Sequence, residues 1–137
     1  MYELFDHTAD LGLRVRAATL PELFADAGRG LAAMLVEETT AVREAESVEV
    51  ALPKDDDLEY LLFDWLKALL SLFDERRLIL VAFDVTLGDD GLKAVCRGEP
   101  LDESRHEPAH EVKAITYHAL RVEQGPDGWL AEVIVDI

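Results

Sequence analysis

The sequence predicts an α+β fold: one two-layer domain over residues 1–137, with two helices packed on a largely antiparallel β-sheet of six or more strands. Three observations carry that expectation. Short runs alternate apolar and polar residues with period two, two longer stretches repeat their apolar residues at helical spacing, and strands and helices do not alternate in the regular manner of βαβ units.

Tyr2 to Phe5 reads as a short strand, and Leu11, Leu13, Val15 and Ala17 alternate with Gly12, Arg14 and Arg16 as a second. Asp6 to Asp10 is then the turn between them. Thr19 followed by Glu22 makes a capping-box pattern with Pro21 in the first turn. Leu20, Leu23, Phe24, Ala27, Leu31, Met34 and Leu35 form the stripe of helix one, weakened in its middle by Gly28 and Gly30. Val48, Val50 and Leu52 form a strand that Pro53 ends. Asp55, Asp56 and Asp57 stand immediately before Leu58, Leu61, Leu62, Trp65, Leu66, Leu69, Leu70 and Phe73, so a cap and acidic first turn explain them better than a metal does. Helix two is expected to end near Asp74, with Trp65 as core filler.

Leu78 to Phe83, with Val85 and Leu87, reads as a central strand, and Gly88-Asp89-Asp90-Gly91 as a hairpin turn into Leu92 to Cys96. Glu99 to His110 holds two prolines and no periodicity, the mark of a long connection. Lys113 to Val122 and Trp129 to Ile137 complete the strands, joined by a five-residue hairpin loop from Gln124 to Gly128. Trp129, Ala131, Val133, Val135 and Ile137 share one face of the last strand, which puts Asp136 on the other.

At 137 residues and 15.3 kDa the chain suits one core, burying roughly two-thirds of the surface its unfolded form exposes. A basic segment followed by an apolar run is absent at the front, and the most apolar helix is interrupted by Asp64 and Lys67. A soluble cytoplasmic protein without a membrane partner is therefore expected. Cys96 is the single cysteine, which excludes an internal disulfide or a thiolate zinc cluster, and its apolar alternating run suggests a buried, inert thiol. The net charge of −16 disfavours tight direct binding of nucleic acid, because that affinity rests on cations displacing counterions from phosphates. An acidic surface suits a cationic protein partner, and it equally suits plain solubility.

Chemistry is sparse. There is no nucleophile elbow, glycine-rich phosphate loop or His-Glu-x-x-His pattern, so no catalytic residue and no organic cofactor is assigned. Titratable, hydroxyl and small residues crowd in Asp6-His7-Thr8-Ala9-Asp10, just before a strand. At the other end Asp136 sets a carboxylate beside the α-carboxylate of Ile137. If the last strand lies beside the one beginning at Leu11, Asp10 adds a third oxygen donor, a set that suits a hard cation such as Ca²⁺. Solvated aspartates are the plain alternative. His106, His110 and His118 fall close together but fit no common zinc spacing, and His118 is placed in a strand. Lys113, among His110, Thr116 and His118, is either a solvated strand-edge lysine or part of a site.

The opening Asp6-His7-Thr8-Ala9-Asp10, the stretch from His110 to His118 with its Lys-Ala-Ile-Thr-Tyr-His core, and the closing Asp136-Ile137 together resemble the archease family, in the same order and over essentially the whole chain. The resemblance implies a non-catalytic activator of the RNA-splicing ligase RtcB, which joins RNA ends bearing a cyclic or 3′-phosphate to 5′-hydroxyl ends in tRNA splicing and RNA repair. It implies promotion of guanylylation of the ligase and repeated turnover. It implies calcium, other divalent cations being possible, on Asp10, Asp136 and Ile137, the last through a main-chain or terminal oxygen. His7, His110, Lys113 and His118 are then candidate partner-facing residues. The competing reading is a stand-alone metal-dependent hydrolase, with Asp10 and Asp136 holding the metal and His7 or His118 as general base.

Overall fold

A computed structural model describes residues 1–7 and 9–137; Thr8, in the opening motif, lies outside the described residues. The elements in order are β1 (Tyr2–His7), β2 (Asp10–Ala17), α1 (Leu20–Leu35), a 3₁₀ turn (Thr39–Ala41), β3 (Glu46–Leu52), α2 (Leu58–Arg76), β4 (Leu78–Gly88), β5 (Gly91–Pro100), β6 (Ala114–Ile115), β7 (Arg121–Gly125) and β8 (Gly128–Asp136). The expected α+β architecture holds, and its strands divide between two sheets. One runs β1-β2-β8-β6, with β7 also paired to β8, and the other runs β3-β5-β4. Every pairing is antiparallel.

Both helices begin where their capping residues dictate. The Thr19 hydroxyl accepts the Glu22 amide at 3.3 Å, and the Asp57 carboxylate accepts the Tyr60 amide at 3.2 Å, each satisfying an otherwise orphaned first-turn N–H. α2 stops at Arg77, whose left-handed backbone (φ 54°) turns its amide onto the Phe73 carbonyl at 2.7 Å. Trp65 is fully buried, as expected of core filler, and its indole N–H donates to the Phe24 carbonyl at 2.9 Å, so its polar atom costs nothing to bury. Cys96 is buried too, and desolvation pushes its thiol up to about 12, which leaves it inert.

The two glycines of α1 are contact points. A Cβ at Gly28 would come within 2.7 Å of the Phe83 ring on β4, and one at Gly30 within 2.3 Å of Leu13 Cδ1 on β2. The helix therefore seats on a strand of each sheet through its two smallest residues, and the local loss of helix propensity is exchanged for close packing.

Several boundaries differ from the sequence reading. β4 is an edge strand of its sheet, with β5 in the middle; its continuous apolar run reflects packing against α1. β1 extends to His7, and the last hairpin closes more tightly than a five-residue loop, since Gly125 already pairs with Gly128. The expected strand from Lys113 to Val122 is broken into β6 and β7, and His118 lies between them, outside any strand. At the break Ala119 holds a left-handed backbone (φ 52°), which no strand accommodates.

The connection from Glu99 to His110 is fastened by a buried knot. Glu99 accepts the Arg43 amide (2.7 Å), two N–H groups of Arg105 (2.6 and 3.1 Å) and the Nε2 of His106 (3.0 Å). His106 is 2% exposed, and its Nδ1 accepts the Asp102 amide at 2.9 Å, which assigns the ring proton to Nε2. Beyond it, the Ala109 and His110 amides donate to the last carbonyls of α1, Leu35 and Met34.

Candidate metal centre

The register of the larger sheet brings the two ends of the motif set together. His7 of β1 pairs with Asp10 of β2, Asp10 pairs with Asp136 of β8, and Asp136 pairs with Ala114 of β6. Directly paired residues on antiparallel strands project to the same face, with Cβ atoms roughly 4.5–5.5 Å apart. Two carboxylates thus stand opposite each other in one row across four strands.

The next polar row shows what is missing. There Glu3, Arg14, Glu132 and Arg121 alternate in sign across β1, β2, β8 and β7. Arg14 reaches Glu3 at 3.3 Å and Glu132 at 3.4 Å, and Arg121 also binds Glu132. Hydrogen bonding, first from Arg121 and then from Arg14, holds the Glu132 carboxyl below its ordinary range, while the Arg14 guanidinium over the Phe5 ring at 4.6 Å closes the row on its inner side. That row is neutralised by the chain itself. The Asp10–Asp136 row contains two anions and, among the described residues, no lysine or arginine paired to them; the basic side chain beside them is the imidazole of His7.

His7 sits beside this pair. Its Nδ1 lies 3.7 Å from Asp10 Oδ2, too far for a hydrogen bond, and is buried without a hydrogen-bond partner among the described residues. Its ring meets that of His118 edge to face at 5.3 Å. His118 is put there by the turn after β6. Thr116 gives both its amide (3.1 Å) and its hydroxyl (2.7 Å) to the Ile134 carbonyl, and its hydroxyl oxygen accepts the His118 amide (3.3 Å). Left-handed alanines mark the two turns that carry these histidines: Ala9 (φ 64°) between His7 and Asp10, and Ala119 (φ 52°) after His118. Such a backbone costs an alanine roughly 1–2 kcal/mol and persists only where the surroundings impose it.

Of the remaining candidates, Ile137 packs its side chain against the core, which leaves its main-chain oxygens beside Asp136 as its only ligating atoms. Lys113 joins through its backbone, donating its amide to the Asp136 carbonyl at 2.7 Å. His110 is held elsewhere. It is tied to the end of α1 and lines a cavity of about 580 Å³ with Asp74, Arg77 and Lys113.

The donor set fits a hard cation in part. Opposed carboxylates and a main-chain oxygen are suitable ligands, but among the described residues no three His, Cys, Asp or Glu side chains converge as a complete metal-ligating group. Any ion held here keeps open positions for water or for a partner's groups.

The row also has aromatic neighbours that the sequence reading passed over. Tyr117, next to His118, stacks on Phe63 of α2 (4.0 Å, 12°) and meets Tyr60 edge to face (5.5 Å). The available signal was Tyr60 and Phe63 three residues apart on one helix face, beside the apolar stripe of α2 but outside it.

Among the described residues no helix is long and apolar enough to cross a membrane. The chain matches the model of the "Archease protein family (MTH1598/TM1083)" over residues 2–137. It is 41% identical to the protein archease of Thermococcus gammatolerans, covering 99% of this chain and 98% of that one, and 37% identical to that of Methanosarcina acetivorans, covering 99% and 95%. The solution structure of Methanobacterium thermoautotrophicum protein 1598 superposes with a TM-score of 0.85 at 33% identity, covering 99% and 98%. A Thermotoga maritima crystal structure described as an archease and possible chaperone shares the fold, at a TM-score of 0.69 and 21% identity, over 100% and 98% of the two chains. Whole-length agreement with the family model and with relatives of matching length leaves one assignment for a sheet that carries Asp-His-Thr-Ala-Asp at one strand end and Asp-Ile at its neighbour: the chain belongs to the archease family.

Proposed function

We propose that this chain is a non-catalytic activator of the RNA-splicing ligase RtcB, acting in tRNA splicing and RNA repair, and that its working edge is a calcium site formed by Asp10, Asp136 and a main-chain oxygen of Ile137. One observation carries the metal reading: two carboxylates are held directly opposite each other with, among the described residues, no lysine or arginine in their row, beside a neighbouring row that is fully charge-paired. Like charges so placed destabilise a sheet, and a bound divalent ion turns that repulsion into attraction. Family membership supports the activator reading.

An activator must bind the reactive conformation of its ligase more tightly than the resting one. Asp10 and Asp136 would hold the ion with positions left for the ligase to fill. His7 and His118 touch each other beside Asp10, and Lys113 is tied to Asp136 through its backbone amide, which supports assigning all three to the docking contact. The bound ion supplies positive charge at the contact, and the surrounding acidic surface draws in a basic partner.

Ligation turnovers per RtcB molecule, counted with and without this chain, test the proposal. Added chain should convert a single turnover into many and raise the fraction of guanylylated ligase. Asp136→Ala and Asp10→Ala should each reduce that gain at least tenfold. Full gain with both variants would remove the metal edge from the mechanism, and no gain with the unaltered chain would remove the activator role.

A further inference from the structure

Tyr60 is 51% exposed and Tyr117 56%, and among the described residues they account for two of the three large hydrophobic side chains left at the surface. They also touch each other. One face of the Tyr117 ring lies flat on Phe63, itself 9% exposed, so the exposure of Tyr117 comes from its opposite face and its rim. The ring is fixed from below. Thr116 is doubly bonded to the Ile134 carbonyl, Leu120 donates its amide to the Tyr117 carbonyl at 3.3 Å, and Ala119 between them is held left-handed. A rigid ring facing water, in a turn that is strained to keep it there, is the construction expected of a contact surface.

Its surroundings are acidic. The Asp57 carboxylate is bonded to the Tyr60 amide, exposed Asp64 lies one turn along α2 from Tyr60, and His118 connects Tyr117 through His7 to the Asp10–Asp136 pair. Lys67, one turn beyond Phe63, is the cation on this helix face. We propose that the Tyr60–Tyr117 platform is a docking surface for an arginine-bearing segment of a protein partner, the guanidinium lying on the free face of Tyr117 with acidic groups around it.

The chemistry selects arginine. A guanidinium is planar, weakly hydrated and able to stack flat on an aromatic face while its N–H groups reach carboxylates around the ring's rim; an ammonium is attracted to the face too, but it is compact, strongly hydrated and cannot stack. The chain uses the same pairing internally, with Arg14 over Phe5 at 4.6 Å and Arg77 over Phe73 at 4.3 Å. A nucleic-acid base would also stack on Tyr117, but its phosphates would meet a chain of net charge −16. The surface is continuous with the metal edge, so the identity of the partner rests on the activator reading, while the chemistry of the contact rests on this geometry alone.

Two arms test it on the full-length chain. In the first, a short arginine-rich peptide, its lysine counterpart and a single-stranded RNA oligonucleotide are titrated while the ring resonances of Tyr60 and Tyr117 are followed by NMR. The arginine peptide should move both rings and bind at least fivefold more tightly than the lysine peptide, and the RNA should move neither. Equal response to lysine and arginine, or a response to RNA, overturns the proposal. In the second arm, affinity for RtcB is measured for Tyr117→Leu, Tyr60→Leu and Tyr117→Phe, with calcium binding as a control for the metal edge. Both leucine variants should bind the ligase at least tenfold more weakly with calcium binding intact, and Tyr117→Phe should match the unaltered chain. Leucine variants that bind normally overturn the docking surface. If the unaltered chain does not bind RtcB at all, the activator reading falls and the peptide arm still decides this proposal.

Discussion

Two carboxylates facing each other across adjacent strands repel in the absence of a cation, at a cost of roughly 0.2–1 kcal/mol for such a pair. Asp10 and Asp136 are so placed. Asp136→Asn keeps the shape of the side chain and removes the repulsion, so in EDTA the variant should melt about 2 °C above the unaltered chain. Calcium should reverse the order. A ligand at a hundred times its Kd stabilises by about 2.7 kcal/mol, and at the proposed calcium site the variant lacks one charged ligand. Thermal scans with EDTA and with calcium check this crossing, and a variant that melts lower under both conditions contradicts it. Glu99 makes the opposite case, a carboxylate with too many partners to lose. Its carboxyl is lowered from an ordinary 4.5 to about 2, chiefly by the hydrogen bonds from Arg105, with the Arg43 amide and His106 adding to them against desolvation. The folded value lies below the unfolded one, so the stabilisation is complete above pH 4.5 and drains away as the pH falls towards 2. Glu99→Gln should be less stable near neutrality, by about 3 kcal/mol as for a broken buried ion pair, and the gap should narrow over that acid window. Urea midpoints at pH 7 and pH 3 measure it; a constant gap would show that Glu99 acts by shape alone.

At the scale of elements, α1 shows how a locally poor choice becomes a requirement. Replacing Gly30 by alanine gains about 1 kcal/mol of helix propensity. The new Cβ would stand 2.3 Å from Leu13 Cδ1, and Leu13, 1% exposed, has nowhere to retreat. Overpacking of this kind costs roughly 1–3 kcal/mol, so Gly30→Ala should destabilise by about 1 kcal/mol in chemical denaturation, where an exposed helix site would gain. The same contrast explains what could be read beforehand. β2 and β8 were legible because Leu11 to Ala17 and Trp129 to Ile137 alternate cleanly, and the meeting of Asp10 with Asp136 follows from both standing at strand ends that pair. The order of the connection after Glu99 was not legible, since it comes from hydrogen bonds among Glu99, Arg105, His106 and Arg43, which leave no periodicity. Nor was the break between β6 and β7: it depends on Ala119 at positive φ, and alanine carries no turn signal. The aromatic platform leaves no periodic signal, because Tyr60 stands outside the apolar stripe of α2 and its partner Tyr117 is brought to it by the sheet.

The whole molecule adds a long-range field. Its 29 acidic and 13 basic residues leave a net charge of −16. The pairing of Glu3, Arg14, Glu132 and Arg121 accounts for charges that cancel, whereas the acidic groups at the mouth of the sheet and along the start of α2 remain. Such a field raises the encounter rate with a basic surface and is screened beyond about 10 Å at 0.1 M salt, while contacts already formed are screened far less. Under the proposed activator role, association of this chain with RtcB should therefore slow about tenfold between 0.05 and 0.5 M NaCl, with the dissociation rate changing much less. A chain that bound RNA directly would behave differently: its affinity would be set by counterions released from the phosphates, and it would bind the oligonucleotide without the ligase. Surface plasmon resonance across that salt range, with RtcB and with single-stranded RNA as separate analytes, distinguishes the two. Salt-independent association with the ligase would leave the acidic field to solubility alone, and RNA binding by the isolated chain at 0.15 M salt would show that its cations are concentrated enough to overcome the net charge.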